Sequence, residues 1–266
     1  MTGAIIGDII GSTYERHNVK TMDFDFFPQG SGFTDDTVMS VAVAEKLMKK
    51  GQSKISDRET YAMWFKQYYK RYPHAGSGRM FADWAESDTM RIQKSYGNGA
   101  AMRVSAIGYV CSSEKEIVKE VDASCYYTHN NSEAKAGAQA VALCIYLARH
   151  QADKNEIKKY VEKKYKYKFK PLDEIRDSYV FDSRTSYSVP PALEAFFESE
   201  NYEDAVRKAI SIGGDSDTIA CIAGGIAHAH YKEIPTEIYE KGMSLLDVGL
   251  RRTVKEFERS YHVSSH

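Results

Sequence analysis

Two segments of this 266-residue sequence gather paired carboxylates at the edge of stretches that read as buried core. Thr34, Asp35 and Asp36 in "FTDDTVM" (33–39), and Asp215, Asp217 and Thr218 in "GGDSDTIACIAGG" (213–225), stand immediately before runs of small apolar residues. Asp and Thr are favoured at helix N-termini, where a side-chain oxygen accepts an orphan backbone N–H and negative charge meets the positive end of the helix dipole. One cap consumes one side chain. A second carboxylate in the same turn suffers like-charge repulsion unless a cation neutralises it. The donors are all oxygen, with no partnering Cys or His, which suits a hard cation such as Mg2+, Mn2+ or Ca2+ over zinc. Two such clusters facing each other across a bundle could hold two ions about 4 Å apart, a separation that orients oxygens of one substrate. Capping and cation binding both remain open from these residues alone.

A third segment, "GAIIGDIIGSTYE", places Gly3, Gly7, Gly11 and Glu15 four residues apart, along one ridge of a helix. Glycines in that spacing let another helix approach closely, and tight packing accounts for Gly3 and Gly7. Packing does not account for Glu15.

These residues need elements to hold them, and helical periodicity dominates the chain. In residues 35–50, Val38, Val41, Ala42, Ala44, Leu47 and Met48 trace one apolar face, with Thr34 or Asp35 as cap and Lys49, Lys50 and Gly51 at the close. Residues 130–150 behave likewise, with Ser132 as the expected cap. Asp153 followed by Glu156 predicts a capping box, and Asn201 caps a further helix that ends at Gly213 and Gly214. Alternation of period two is not found, nor an Asn-Gly or Asp-Gly turn between β-rich runs. The expected fold is all-α: one compact multi-helix bundle, a single domain over residues 1–266, in which 163–190 is a long connection.

Bulk composition excludes several partners. Lys plus Arg number 36 against 37 Asp plus Glu, a net charge of −1 that calls for neither nucleic acid nor a membrane surface. The basic run from Lys154 to Lys170 reads as a solvated helix face, with Tyr165, Tyr167 and Phe169 leaving a weaker nucleic-acid alternative. Cys111, Cys125, Cys144 and Cys221 are widely spaced with no C-x-x-C pair, so a reducing cytoplasm is the expected location. Asp8 interrupts the apolar start and makes it a poor signal peptide, and no apolar stretch approaches the ~18 residues of a spanning helix.

Five segments in order, "GDIIGSTYE" (7–15), "FTDDTVM" (33–39), "GNGAAMRVSAIG" (97–108), "THNNSEAKAGAQA" (128–140) and "GGDSDTIACIAGGIA" (213–227), resemble the ADP-ribosylglycohydrolase family. These are all-α hydrolases that include the activator of dinitrogenase reductase and the ADP-ribosyl-acceptor hydrolases. The resemblance implies metal-dependent hydrolysis of the glycosidic bond between ADP-ribose and an acceptor, a protein side chain, small molecule or nucleobase, with release of ADP-ribose. It implies two Mg2+ ions, replaceable by Mn2+, on Thr34, Asp35, Asp36, Asp215, Asp217 and Thr218. Glu15, on a loop over the metals, and the metal-site carboxylates Asp36 and Asp217 become the catalytic candidates. Asn98, Gly99 and His129 match positions lining the ADP-ribose cleft. "PHAGSGRMFADW" (73–84) is similar to the family's phosphate loop, in which backbone N–H groups beside Gly76, Ser77 and Gly78 could cradle a pyrophosphate. Without the resemblance, that segment reads equally as a Gly/Ser turn and His129 as a satisfied core group. Two features depart from the pattern. "AHAHY" brings His228 and His230, read as packing or solvent residues, and the short chain leaves the acceptor linkage open. A non-catalytic ADP-ribose binder and a metal-dependent phosphoesterase are the rival readings.

Overall fold

The computed structural model describes residues 1–51 and 55–263, and its first helix is built to be surrounded. All ten residues of α1 (Thr2–Gly11) are buried. In chain order follow α2 (Asp35–Met48), α3 (Asp57–Arg71), α4 (Arg79–Glu86), α5 (Ser105–Val110), α6 (Glu114–Cys125) and α7 (Ser132–Arg149). The second half comprises α8 (Lys154–Tyr165), α9 (Leu172–Ile175), α10 (Thr185–Phe197), α11 (Tyr202–Ser211), α12 (Ser216–Tyr231), α13 (Thr236–Ser244) and α14 (Val248–Ser260). Among the described residues no strand forms, and only isolated bridges pair Lys94 with His129 and Gly97 with Arg184. The all-α single-domain bundle expected from the periodicity is the architecture observed. No helix among the described residues is long and apolar enough to cross a membrane.

The centre of the bundle is the antiparallel pair α1 and α12. A Cβ on Gly3 would fall 2.4 Å from the Gly224 carbonyl oxygen, on Gly7 2.2 Å from that of Ala220, and on Gly11 2.5 Å from that of Ser216. The glycine ridge therefore brings two helix backbones into contact, and α7, α10 and α11 pack around α12. This register sets the last turn of α1 beside the first turn of α12. Gly213 and Gly214, at φ +70° and +79°, turn the chain out of α11 into that position, a left-handed conformation that glycine adopts without a Cβ penalty.

Local signals explain most helix starts, with three corrections. Asn131, not Ser132, caps α7: its side chain accepts from the backbone N–H groups of Glu133 and Ala134. Asp153 caps α8 through Asn155 N–H, but the reciprocal Glu156 bond is absent among the described residues; the capping box closes instead at Ser56 and Glu59, before α3. The 163–190 connection is shorter than expected. Helix α8 runs to Tyr165, α9 interrupts the loop, and α10 starts at Thr185 and passes through Pro190 and Pro191. Pro191 has no N–H for the Tyr187 carbonyl four residues back, and the Tyr179 hydroxyl donates to that oxygen at 3.2 Å instead.

Candidate active site

The two acidic helix starts converge on one cleft of about 910 Å³. Its lining includes Glu15, Thr34, Asp35, Asp36, Gly76, Gly78, Asn98, Gly99, His129, Asp215, Asp217 and Thr218. Of the candidate catalytic, metal-binding and substrate-binding residues named from the sequence, Ser77 alone is not in that lining, though both of its neighbours are.

Capping uses little of this chemistry. Thr34 caps α2 by accepting from Asp36 N–H, which leaves the carboxylates of Asp35 and Asp36 free of that task. Asp215 occupies the N-cap position of α12 without capping it. Its Oδ2 instead accepts from the Asn98 amide at 2.7 Å, and Asn98 also donates to Ser188 Oγ at 2.9 Å. Asn98 is carried there by the short helical turn Asn98–Ala100, whose first N–H donates to the Ser183 carbonyl at 2.8 Å.

The carboxylates form two trios that share a member. Asp8, Asp36 and Asp217 each place an oxygen within 4.8 Å of the others, and so do Glu15, Asp215 and Asp217. Asp8 is the residue that sequence reasoning missed as a site group. It is fully buried on α1, and its carboxylate accepts from Thr34 N–H at 3.0 Å, Thr34 Oγ1 at 2.7 Å and Thr37 N–H at 3.1 Å. Its only signal was a lone charge inside an apolar helix run. Asp35 belongs to neither trio; it faces the 73–78 loop, which is pinned by the Asp35 N–H donating to the Ala75 carbonyl at 2.8 Å. Gly76 makes that loop possible at φ +105°, with Asp35 Oδ1 only 3.6 Å from where a Cβ would stand. Glu15 is not a fourth member of the helix ridge. Helix α1 ends at Gly11, and Glu15 sits half-buried in the following turn, which Asn18 ties to Gly214.

Crowded, desolvated carboxylates resist ionisation. Burial first, then the charges of Asp8, Asp35 and Asp215, pushes Asp36 well above the usual range. Asp217 is raised likewise by burial, then Asp36 and Asp215. Burial and Asp8 push Asp35 up to about 7, and burial with Asp215 raises Glu15. Burial also raises Asp8, against the hydrogen bonds from Thr37 and Thr34. Thr218 Oγ1 donates to Asp36 Oδ2 at 3.3 Å, while Asp36 Oδ1 is buried with no hydrogen-bond partner among the described residues. An unpartnered buried carboxylate oxygen facing other carboxylates fits a hard divalent cation, and both trios could hold one.

His129, also in the lining, is buried with its Nδ1 2.8 Å from Thr128 Oγ1. The two other nominated histidines lie elsewhere, near the far end of α12. His228 is buried, its Nδ1 accepting from Gly3 N–H at 3.2 Å, and His230 packs edge-on against Phe196. Both are packing residues, as expected.

A family model described as ADP-ribosylglycohydrolase matches residues 1–260. The chain belongs to the ADP-ribosylglycohydrolase family. This family member is 27% identical to human ADP-ribosylhydrolase ARH3, over 87% of this chain and 84% of that one. It is 29% identical to ADP-ribosylarginine hydrolase Tri1 of Pseudomonas putida (strain GB-1), over 91% of this chain and 72% of the relative. Among solved structures, a chain titled ADP-ribosylglycohydrolase-related protein complex superposes with a TM-score of 0.69. It has 20% identity, covering 97% of this chain and 96% of that one, a likeness of fold.

Proposed function

We propose that this protein hydrolyses the glycosidic bond between ADP-ribose and an acceptor, with two Mg2+ ions in the carboxylate trios, and releases ADP-ribose. The observation that carries the proposal is the sharing of Asp217 by two trios on one side of a cleft. The same cleft is lined by Gly97, Gly99, the Asn98 amide and the His129 imidazole. Asp8, Asp36 and Asp217 would hold one ion and Glu15, Asp215 and Asp217 the other, with Thr34, Asp35 and Thr218 beside them. Mn2+ would serve in the same places, because the donors are oxygens without rigid geometry. Such ions, when bound, supply Lewis acidity toward ribose hydroxyls and lower the pKa of a nearby water.

The chain's own groups perform the rest. Gly76 and Gly78 line the cleft, and backbone N–H groups of their loop would bind the pyrophosphate there. Asn98 fixes the orientation of Asp215 through its 2.7 Å hydrogen bond, so that carboxylate is held before ligand arrives. Glu15, half-buried at the rim with a raised pKa, is suited to take a proton from the water that attacks the anomeric carbon. The sugar passes through an oxocarbenium-like state, which the surrounding carboxylate charge stabilises. Substrates are ADP-ribosylated proteins or small molecules, and four free, buried cysteines fit work in a reducing cytoplasm.

Product analysis by mass spectrometry tests the reading against arginine-, serine- and nucleobase-linked ADP-ribose. Release of ADP-ribose with its pyrophosphate intact is the expected outcome and names the linkage. AMP would indicate a phosphoesterase, and binding without turnover a non-catalytic reader.

A further inference from the structure

We propose that Arg103 and Thr128 are positioning residues that hold His129 as the neutral tautomer protonated on Nε2, so that the ring offers one N–H to an acceptor oxygen of the ligand. The last step rests on the functional reading above; the tautomer does not.

The relay starts in the core. Arg103 is 1% exposed, with its guanidinium 4.1 Å from the Phe65 ring centroid. Its Nη2 donates to the Ser124 carbonyl at 3.0 Å and to Thr128 Oγ1 at 2.8 Å. Arginine has no acceptor, so the direction of the second bond is fixed. Thr128 is likewise 1% exposed, and 2.8 Å from its Oγ1 lies His129 Nδ1. Among the described residues the Thr128 hydroxyl has no other acceptor for its proton, and a buried O–H left unpaired carries its full desolvation penalty. The hydroxyl therefore donates to Nδ1, which must present a lone pair, and the ring proton resides on Nε2. An imidazolium would point an N–H at an oxygen already committed to donating. Burial, and then the charge of Arg103, also holds His129 well below the usual range and thus neutral.

The other end of the ring is open. A Cβ on Gly99 would stand 3.3 Å from His129 Nε2, and one on Gly97 3.7 Å from it. The bare backbone at these two positions leaves that nitrogen facing the cleft, which both glycines and His129 line. Nε2 has no hydrogen-bond partner among the described residues. A histidine serving only the core would be satisfied at both nitrogens; this one is supported from behind and left free in front.

Long-range 1H–15N spectra of the intact, ligand-free protein labelled at histidine test the tautomer, with His129 assigned through His129→Gln. The expected spectrum has an unprotonated Nδ1 and a protonated Nε2; the Nδ1–H form or an imidazolium at neutral pH overturns the proposal. Thr128→Val keeps the size and removes the donor, so Nδ1 loses its hydrogen bond and its 15N signal should shift, and Thr128→Ser should restore it. An Arg103→Lys spectrum identical to wild type would remove Arg103 from the relay. With ADP-ribose added, wild-type Nε2 should shift, and Thr128→Val should raise KM about 3- to 10-fold, the value of one hydrogen bond, with kcat moving less. Binding of ADP-ribose without a response at Nε2 overturns the donor role. A wild-type protein that does not bind ADP-ribose overturns the functional reading instead, while the ligand-free spectrum still decides the tautomer.

Discussion

Gly7→Ala adds a single methyl group where the two central helices touch. On the present backbone that Cβ would lie 2.2 Å from the Ala220 carbonyl oxygen, 2.7 Å from its carbon and 3.1 Å from Cys221 N. Ordinary contact begins at 3.4 Å, so α1 and α12 would have to part by roughly 1.2 Å (3.4 − 2.2), and backbone must give, because no flexible side chain stands in the way. Overpacking of a close-packed core costs about 1–3 kcal/mol. Alanine's better helix propensity returns up to about 1 kcal/mol. A net loss of about 1 kcal/mol follows at the middle of these ranges, or roughly 2–4 °C in melting temperature for a chain of this size. The same displacement separates Asp8, the next residue on α1, from Asp217 in the first turn of α12, and about 1 Å of misplacement can cost on the order of 100-fold in rate. The assay is thermal and urea unfolding followed by circular dichroism, with and without Mg2+, beside Gly32→Ala as control. A Cβ on Gly32 meets nothing within 4 Å, and a change within about 0.5 kcal/mol is expected there. If Gly7→Ala matches that control in midpoint and in its Mg2+ response, then the close backbone contact does not set the geometry of the site.

Glu15→Gln keeps size and loses basicity, so the rate of ADP-ribose release should fall about 100- to 10,000-fold with a much smaller change in affinity, measured by steady-state kinetics and calorimetry. Mg2+ or Mn2+ should raise the wild-type melting temperature and EDTA should abolish turnover. Asp36→Asn should melt no lower than metal-free wild type, because it relieves carboxylate repulsion, and should lose the Mg2+-dependent rise. Away from the site, Glu120 accepts from Lys46 at 2.8 Å and Tyr61 at 2.9 Å and pairs with Lys50 at 2.9 Å. Burial alone would raise its pKa, but the two lysines outweigh it and hold it below its ordinary 4.5. A depressed folded-state pKa gives stability that is present above 4.5 and lost as pH falls from there through the lower folded value. Urea midpoints measured across that acid window should therefore fall more steeply for wild type than for Glu120→Gln.

What the sequence determined by itself was everything that repeats within a turn or two of chain. The 3.6-residue periodicity marked α2 and α7, short-range capping marked their starts to within a residue, and the four-residue glycine spacing marked a close helix contact. The two Asp/Thr clusters were visible for the same reason: two carboxylates in one turn exceed what a cap consumes. Tertiary structure alone decided what those pieces do to one another. Antiparallel packing of α1 on α12 carries Asp8 and Glu15 to Asp217 from more than two hundred residues away, and no local pattern distinguishes Asp8 from a stray charge in an apolar run. The helix of α1 stops at Gly11, so Glu15 reaches Asp215 through a turn held by Asn18 and not along the ridge that the spacing suggested. Asp215 stands where a cap would stand, yet Asn98, 117 residues distant, claims its oxygen. Pro190, read as the end of a long connection, and Pro191 both lie inside α10, where the Tyr179 phenol supplies the hydrogen bond that Pro191 cannot. Backbone and side-chain polar groups must all find partners once buried, and which partners they find is settled by three-dimensional proximity that a linear pattern does not encode.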